Sequence, residues 1–208
     1  WSSDVCSSDL ALELGGKSPH LVFEDTEDLN AAAVAITWGI FYNAGQTCHG
    51  GSRLLVHESI AEQLVQEIEK VGRQFVLGDP LDPKTQVSAI ISERQHKRVC
   101  GYLDLAKQEG YSVRLGGGTS APAAGLEGGF YVQPTVITEV PNSSRLAQEE
   151  IFGPVLSVIT FKDDQEAVRL ANDSEYGLAA SIWTKDITRA HKVSRSVRAG
   201  TVWINTFD

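Results

Sequence analysis

The sequence predicts an α/β fold, a largely parallel sheet with helices on both faces. Three observations carry that expectation. The last third reads strand, helix, strand, helix, strand, a spacing that requires right-handed crossovers between parallel strands. The earlier segments also alternate short β-rich runs with long helical patterns. The chain has 208 residues, 42% of them hydrophobic, enough for one sizeable core.

Residues 12–14 and 20–24 are short apolar runs on either side of Gly15-Gly16-Lys17-Ser18-Pro19, which predicts strand, turn, strand. Residues 28–42 are alanine-rich and apolar, long enough for a buried helix, and Asn43-Ala44-Gly45 supplies its stop. Residues 53–57 alternate loosely as a strand. Ser59-x-x-Glu62 has the form of a capping box. It predicts a helix start, with Ile60, Leu64, Val65, Ile68 and Val71 on one face. Gly78 to Pro83 is a turn-rich loop. Ser92-x-x-Gln95 is a second capping box, opening a helix to about Glu109 with Gly110 at its end.

Residues 111–115 read as a strand, and 116–129, rich in Gly, Ala and Ser, as an exposed loop. Residues 130–140 are β-rich, with Pro134 implying an edge position or a bend. Residues 155–161 form the next strand, and Asp163-x-x-Glu166 caps a helix through Asn172. Residues 179–184 are a strand, Asp186 opens a helix ending near Gly200, and residues 201–205 close as a strand. No internal repeat is visible.

Composition excludes several function classes. Eighteen Lys+Arg against 27 Asp+Glu give a net charge of −9, which argues against nucleic-acid or anionic-membrane partners. No apolar run approaches the roughly 18 residues of a membrane span. Three cysteines, at 6, 48 and 100, without a C-x-x-C pair, argue against a disulfide framework or a metal site, and suit a reducing compartment such as the cytoplasm. Methionine is absent, which suggests a processed or truncated chain. Residues 1–10, WSSDVCSSDL, repeat Ser-Ser-Asp and lack periodicity or a signal-peptide pattern. They are expected to be a non-native extension, with a frayed natural terminus as the alternative.

Gly16-Lys17-Ser18 is not a phosphate loop, because that motif requires glycine where Ala11 stands. Gly116-Gly117-Gly118 lacks the lysine and helix that a phosphate cradle needs. Cys48 is different. It lies in Gly45-Gln46-Thr47-Cys48-His49-Gly50-Gly51-Ser52, among small residues that leave room for a substrate and expose backbone N–H groups. A nucleophile and a merely structural thiol both remain open from this local pattern. Glu13, between Leu12 and Leu14, reads either as an outward-facing strand residue or as a carboxylate at the carboxyl edge of a parallel sheet. Glu150 could face solvent or belong to a loop shaped by Phe152-Gly153-Pro154.

Together, Ala11-Leu-Glu-Leu-Gly-Gly-Lys-Ser-Pro19, Phe41-Tyr-Asn-Ala-Gly-Gln-Thr-Cys48 and Glu149-Glu-Ile-Phe-Gly-Pro-Val155 resemble the aldehyde dehydrogenase superfamily, in its order and at fitting separations. Asn172 to Leu178 and Gly200 to Asn205 extend the resemblance over residues 11–208. The runs Gly39 to Arg53 and Gly78 to Pro83 look most like dehydrogenases of ω-amino aldehydes and γ-glutamyl-aminobutanal.

The resemblance implies that Cys48 is the nucleophile toward an aldehyde and Glu13 the base that activates water, a role suited to a carboxylate whose burial raises its pKa. It implies NAD or NADP as cofactor, without a metal. Glu150 and Phe152 then lie at the nicotinamide ribose and ring, Gln95 and Arg98 toward the adenosine, and Leu14 among the cofactor-binding residues. His49 departs from the family, where the residue after the cysteine is usually small or non-ionisable. A neutral packing role is expected for it, since adjacent residues rarely share a cavity. The resemblance places a cofactor domain before residue 11 and an oligomerisation segment after residue 205. It implies a homodimeric or homotetrameric parent enzyme, and little turnover by residues 11–208 alone. A cofactor-independent thiol esterase and a CoA-acylating dehydrogenase are the alternatives, the second disfavoured by Glu13.

Overall fold

The computed structural model describes residues 12–119 and 121–208. The proposed foreign extension, with Cys6, lies outside them. Seven strands form one sheet in the order β3-β4-β5-β2-β1-β6-β7. They are β1 (Pro19–Val22), β2 (Arg53–His57), β3 (Ser112–Leu115), β4 (Thr135–Thr138), β5 (Val155–Phe161), β6 (Ala179–Trp183) and β7 (Thr201–Ile204). All neighbours are parallel except β3 and β4, which pair antiparallel.

The helices are α1 (Leu29–Phe41), α2 (Ala61–Gly72), α3 (Glu93–Gln108), α4 (Arg145–Gln148), α5 (Asp164–Asn172) and α6 (Ile187–Ser196). Through α1 the chain steps from β1 to β2 toward the β3 end. Through α5 and α6 it steps toward β7. Opposite directions of travel with right-handed crossovers put α1 and α2 on one face, α5 and α6 on the other. Strands covered on both faces lose their alternation, which is why Arg53 to Val56 and Ala179 to Trp183 are buried throughout.

Caps account for most of the helix starts. Asp28, Ser92, Asp163 and Asp186 each accept a first-turn N–H at α1, α3, α5 and α6. The Ser59–Glu62 box does not form. Residues 58–60 make a short 3-10 turn in which Ser59 N donates to His57 Nδ1, and Glu62 turns outward to Arg114. Nor are residues 12–14 a strand. Leu12, Glu13 and Leu14 run exposed into β1, with no neighbouring strand among the described residues to pair them. Pro134 sits just before β4, an interior strand, so its missing N–H costs no ladder bond.

One buried cation ties the layers together. Arg53, at the start of β2, is 1% exposed. Its guanidinium donates to Lys17 O (3.0 Å), Asn142 Oδ1 (3.2 Å), Leu170 O (3.0 Å) and Ala171 O (2.9 Å). The last two are carbonyls of the final turn of α5, which have no partner within the helix and carry the negative end of its dipole. Replacing Arg53 with leucine leaves these acceptors buried and unsatisfied. The expected loss is about 3–5 kcal/mol in urea unfolding; a loss below about 1 kcal/mol would show that Arg53 is not a keystone.

Candidate active site

The sheet's two edges differ. At the carboxyl edge, where β1 and β6 diverge and α/β ligands usually bind, Asp25 accepts from Thr184 Oγ1 (2.8 Å) and pairs with Arg189 (2.7 Å). Arg189 also pairs with Glu24 and Asp164. That crevice is tied up by its own charges. The motif residues gather at the opposite edge, on the loops that enter β1, β2 and β5. Glu13 therefore lies at the amino edge, which corrects the carboxyl-edge expectation. The chain order decides this, because each motif precedes its strand.

The Cys48 loop starts with a left-handed turn. Asn43, Ala44 and Gly45 have φ of 50°, 54° and 70°. Such a backbone is costly for Asn and Ala. It is offset by Asn43 Nδ2 donating to Gln46 O (3.0 Å), by Gln46 Nε2 donating to Asn43 O (3.2 Å), and by Ile91 N donating to Gln46 Oε1 (3.0 Å). Gly45 is forced, since a Cβ there would lie 2.1 Å from the Gly153 backbone. A tight turn follows, with Gly50 N donating to Thr47 O (3.0 Å). Cys48 and His49 are its two central residues. This brings their side chains to one side, contrary to the expectation for adjacent residues. Cys48 Sγ is 3.9 Å from His49 Nδ1.

Gly16 lies against this turn. A Cβ on Gly16 would sit 2.4 Å from the Cys48 carbonyl oxygen. Gly16 N donates to Glu150 Oε1 (3.0 Å), so Glu150 is brought onto the Gly15-Gly16 segment. The Glu150–Pro154 loop is held from behind. Gln95 Nε2 donates to Ile151 O (2.9 Å) and Phe152 O (2.8 Å), and Arg98 donates to Glu150 O. Phe152 is half-buried at φ 57°. The structure thus brings together Cys48, Glu150, Phe152, Gln95 and Arg98 around the Gly15-Gly16 segment. Leu14 and Glu13 stand exposed at its outer end. The described residues do not bury Glu13. Beside Cys48, a cleft of about 220 Å³ is lined by Trp38, Tyr42, Thr47, His49, Phe207 and Asp208.

Two buried residues here carried no sequence signal beyond a polar side chain beside an apolar run. Lys17 is 1% exposed, and its Nζ has no hydrogen-bond partner among the described residues. Burial, reinforced by Arg53, lowers its pKa to about 7, against the opposing pull of Glu150 and Glu149. His20, on β1, shares a 2.6 Å contact between Nδ1 and Ser181 Oγ and stacks on Phe207 at 4.7 Å. Burial pushes its pKa down to about 3, so it is a neutral support beneath the Cys48 loop. Among the described residues no group of three or more His, Cys, Asp or Glu could hold a metal ion, and no helix is long and apolar enough to cross a membrane.

A thiol presented on a strained turn, over a glycine pair and an anchored acidic loop, defines an α/β domain with a cysteine-centred site. The chain belongs to the aldehyde dehydrogenase family, whose model matches residues 5–208. It is 43% identical to a betaine aldehyde dehydrogenase of Mesorhizobium japonicum, over 95% of this chain and 40% of that protein. It superposes with a TM-score of 0.89 on γ-glutamyl-γ-aminobutyraldehyde dehydrogenase of Burkholderia cenocepacia, 49% identical, covering 95% of this chain and 39% of that one. An indole-3-acetaldehyde dehydrogenase of P. syringae in complex with NAD⁺ matches at 0.90 and 43% identity, with the same coverage. The chain spans about two-fifths of the length of the curated relatives it matches.

Gly16→Ala is expected to push back the Cys48 turn and cost about 1–3 kcal/mol in urea unfolding, because the added Cβ meets the Cys48 carbonyl. Unchanged stability would refute the packing role. Lys17 gives a pH signature. The unfolded chain holds that proton up to about pH 10.5, the folded chain only up to about 7, so stability rises with pH across that window. Lys17→Met should therefore be more stable than wild type near neutrality, by about 4 kcal/mol, with the advantage fading toward pH 10 in urea unfolding. A pH-independent difference would contradict this.

Proposed function

We propose that residues 11–208 form the catalytic domain of an NAD(P)-dependent aldehyde dehydrogenase that oxidises an aldehyde to a carboxylic acid. The observation that carries this reading is the Cys48 turn packed on Gly16, with Glu150 anchored to the same segment. In this reading the Cys48 thiolate attacks the carbonyl carbon and forms a thiohemiacetal. The Cys48 N–H is not the donor of the Thr47–Gly50 turn bond, so it can face the developing oxyanion. A bound NAD(P)⁺, held beside Glu150 and Phe152, would supply the hydride acceptor that lets the adduct on Cys48 become a thioester. Glu13 then activates water, and hydrolysis releases the acid and restores the thiol. Hydrolysis rather than CoA transfer is favoured by the presence of Glu13.

The residues fit a nicotinamide nucleotide. The Glu150 carboxylate, one oxygen of which accepts from Gly16 N, keeps acceptor capacity that suits a ribose hydroxyl. Phe152 offers an aromatic edge beside it. Gln95 and Arg98 shape this side by holding the loop, with Leu14 as apolar cover. The substrate class is an ω-amino aldehyde or a near relative. Trp38, Tyr42 and Phe207 rings with the Asp208 carboxylate line the cleft beside Cys48, a lining suited to a cationic or polar tail. The parent enzyme is a homodimer or homotetramer, as the family resemblance implies, and the scattered cysteines suit a reducing cytoplasm.

In the parent enzyme, Cys48→Ala should abolish NADH formation from an ω-amino aldehyde, and in this chain the cleavage of a nitrophenyl ester without cofactor. Glu13→Gln should leave the first turnover of NADH and slow the steady state about a hundredfold. Ester cleavage alone, lost in Cys48→Ala, would leave a thiol esterase as the activity of this chain. Undiminished NADH formation in Cys48→Ala would overturn the reading.

A further inference from the structure

We propose that His49 is the proton acceptor for the Cys48 thiol, so that the nucleophile rests as a thiolate–imidazolium pair before cofactor or aldehyde arrives. The inference rests on Cys48 being the reactive thiol and adds a group that the family pattern does not supply.

The geometry of the Thr47–Gly50 turn carries it. His49 Nδ1 faces Cys48 Sγ at 3.9 Å. The other ring nitrogen, Nε2, lies 3.5 Å from Asp208 Oδ2. A hydrogen on Nε2 directed at that carboxylate leaves Nδ1 with its lone pair toward sulfur, the tautomer an acceptor needs. The proton then leaves Sγ for Nδ1; the S–H bond breaks, an N–H bond forms, and the electron pair stays on sulfur. The resulting imidazolium lies between the thiolate and Asp208. It is half-buried, so solvent screens the pair only in part.

The ring is also held in place. Trp203 packs on it at 5.9 Å and Phe207 at 5.8 Å, while Trp203 and Phe207 contact each other at 4.8 Å. Phe207 is fixed in turn by His20 and by Gly39, whose hydrogen leaves room for its edge. The titratable groups facing His49 from the surrounding elements are Cys48 on its own turn, Asp208 after β7 and Tyr42 after α1. Asp208 and the Cys48 thiolate are the two negative partners of the charged ring.

The test reads the thiol and not turnover, so its outcome is independent of the dehydrogenase reading. Alkylation by iodoacetamide is followed across pH in a protein with Cys6→Ser and Cys100→Ser, with and without His49→Gln. The expected result is fast alkylation of Cys48 near pH 7, slowed about tenfold by His49→Gln and recovered at alkaline pH. Asp208→Asn should give a smaller slowing in the same direction. In the reciprocal measurement, Cys48→Ser should lower the pH at which His49 loses its proton, followed by NMR of the imidazole. Identical alkylation profiles with and without His49, or an imidazole titration indifferent to Cys48→Ser, would overturn the proposal. If the pair is present but no aldehyde is oxidised, the reading of the reaction fails and the pair stands.

Discussion

The buried guanidinium of Arg53 is the interaction on which the rest depends. Among the described residues it has no carboxylate at bonding distance. Its charge is met by the carbonyl end of α5, by Lys17 O at the entrance to β1, and by Asn142, whose amide donates onward to Asp173 (2.9 Å). One side chain therefore satisfies a helix terminus and joins β1, β2 and α5 at the sheet's amino edge. Its cost in desolvation is visible in its own pKa, lowered to about 10 by burial. It also sets the field for its neighbour. Lys17 is kept near the neutral form by burial and by the adjacent guanidinium. A second full charge is thus avoided where the solvent is already gone.

From that anchored edge the site is built by close backbone approach. Gly16 meets the Cys48 carbonyl, and Gly45 meets Gly153, at distances that no side chain would allow. These contacts stack three loops that are remote in sequence. Precision comes from stacking, and the strain comes with it. The left-handed residues before the thiol and Phe152 in the acidic loop are held by side-chain amides, those of Asn43 and Gln46 on one side and Gln95 on the other. The amides act on backbone carbonyls, so they fix loop shape and leave the pocket-facing groups free for chemistry.

The carboxyl edge shows the complementary solution. There Arg189 draws Glu24, Asp25 and Asp164 together and lies over the Phe23 ring at 4.8 Å. The charges at that end satisfy each other and join α5 and α6 to β1. The carboxyl end is thus closed by its own ion pairs, while the reactive groups gather at the amino end of the same strands. A largely parallel sheet permits this, because all its parallel strands enter at one edge and leave at the other.

Much of the fold was legible in the sequence because it rests on local chemistry. Caps at Asp28, Ser92, Asp163 and Asp186 and apolar periods in α2 and α5 are local facts, and the helices lie where those signals put them. The motif order placed Cys48, Glu150, Phe152, Gln95 and Arg98 in one neighbourhood. What failed locally failed for a nonlocal reason. Leu12 to Leu14 have a strand's pattern and no strand among the described residues to pair with, and Glu62 abandons its capping box for Arg114, 52 residues away. The burial of Lys17 and the approach of His49 to Cys48 were decided by tertiary structure alone. Each depends on register, on a carbonyl brought from another layer, or on a turn whose φ angles only packing against Gly153 and Ile91 can hold.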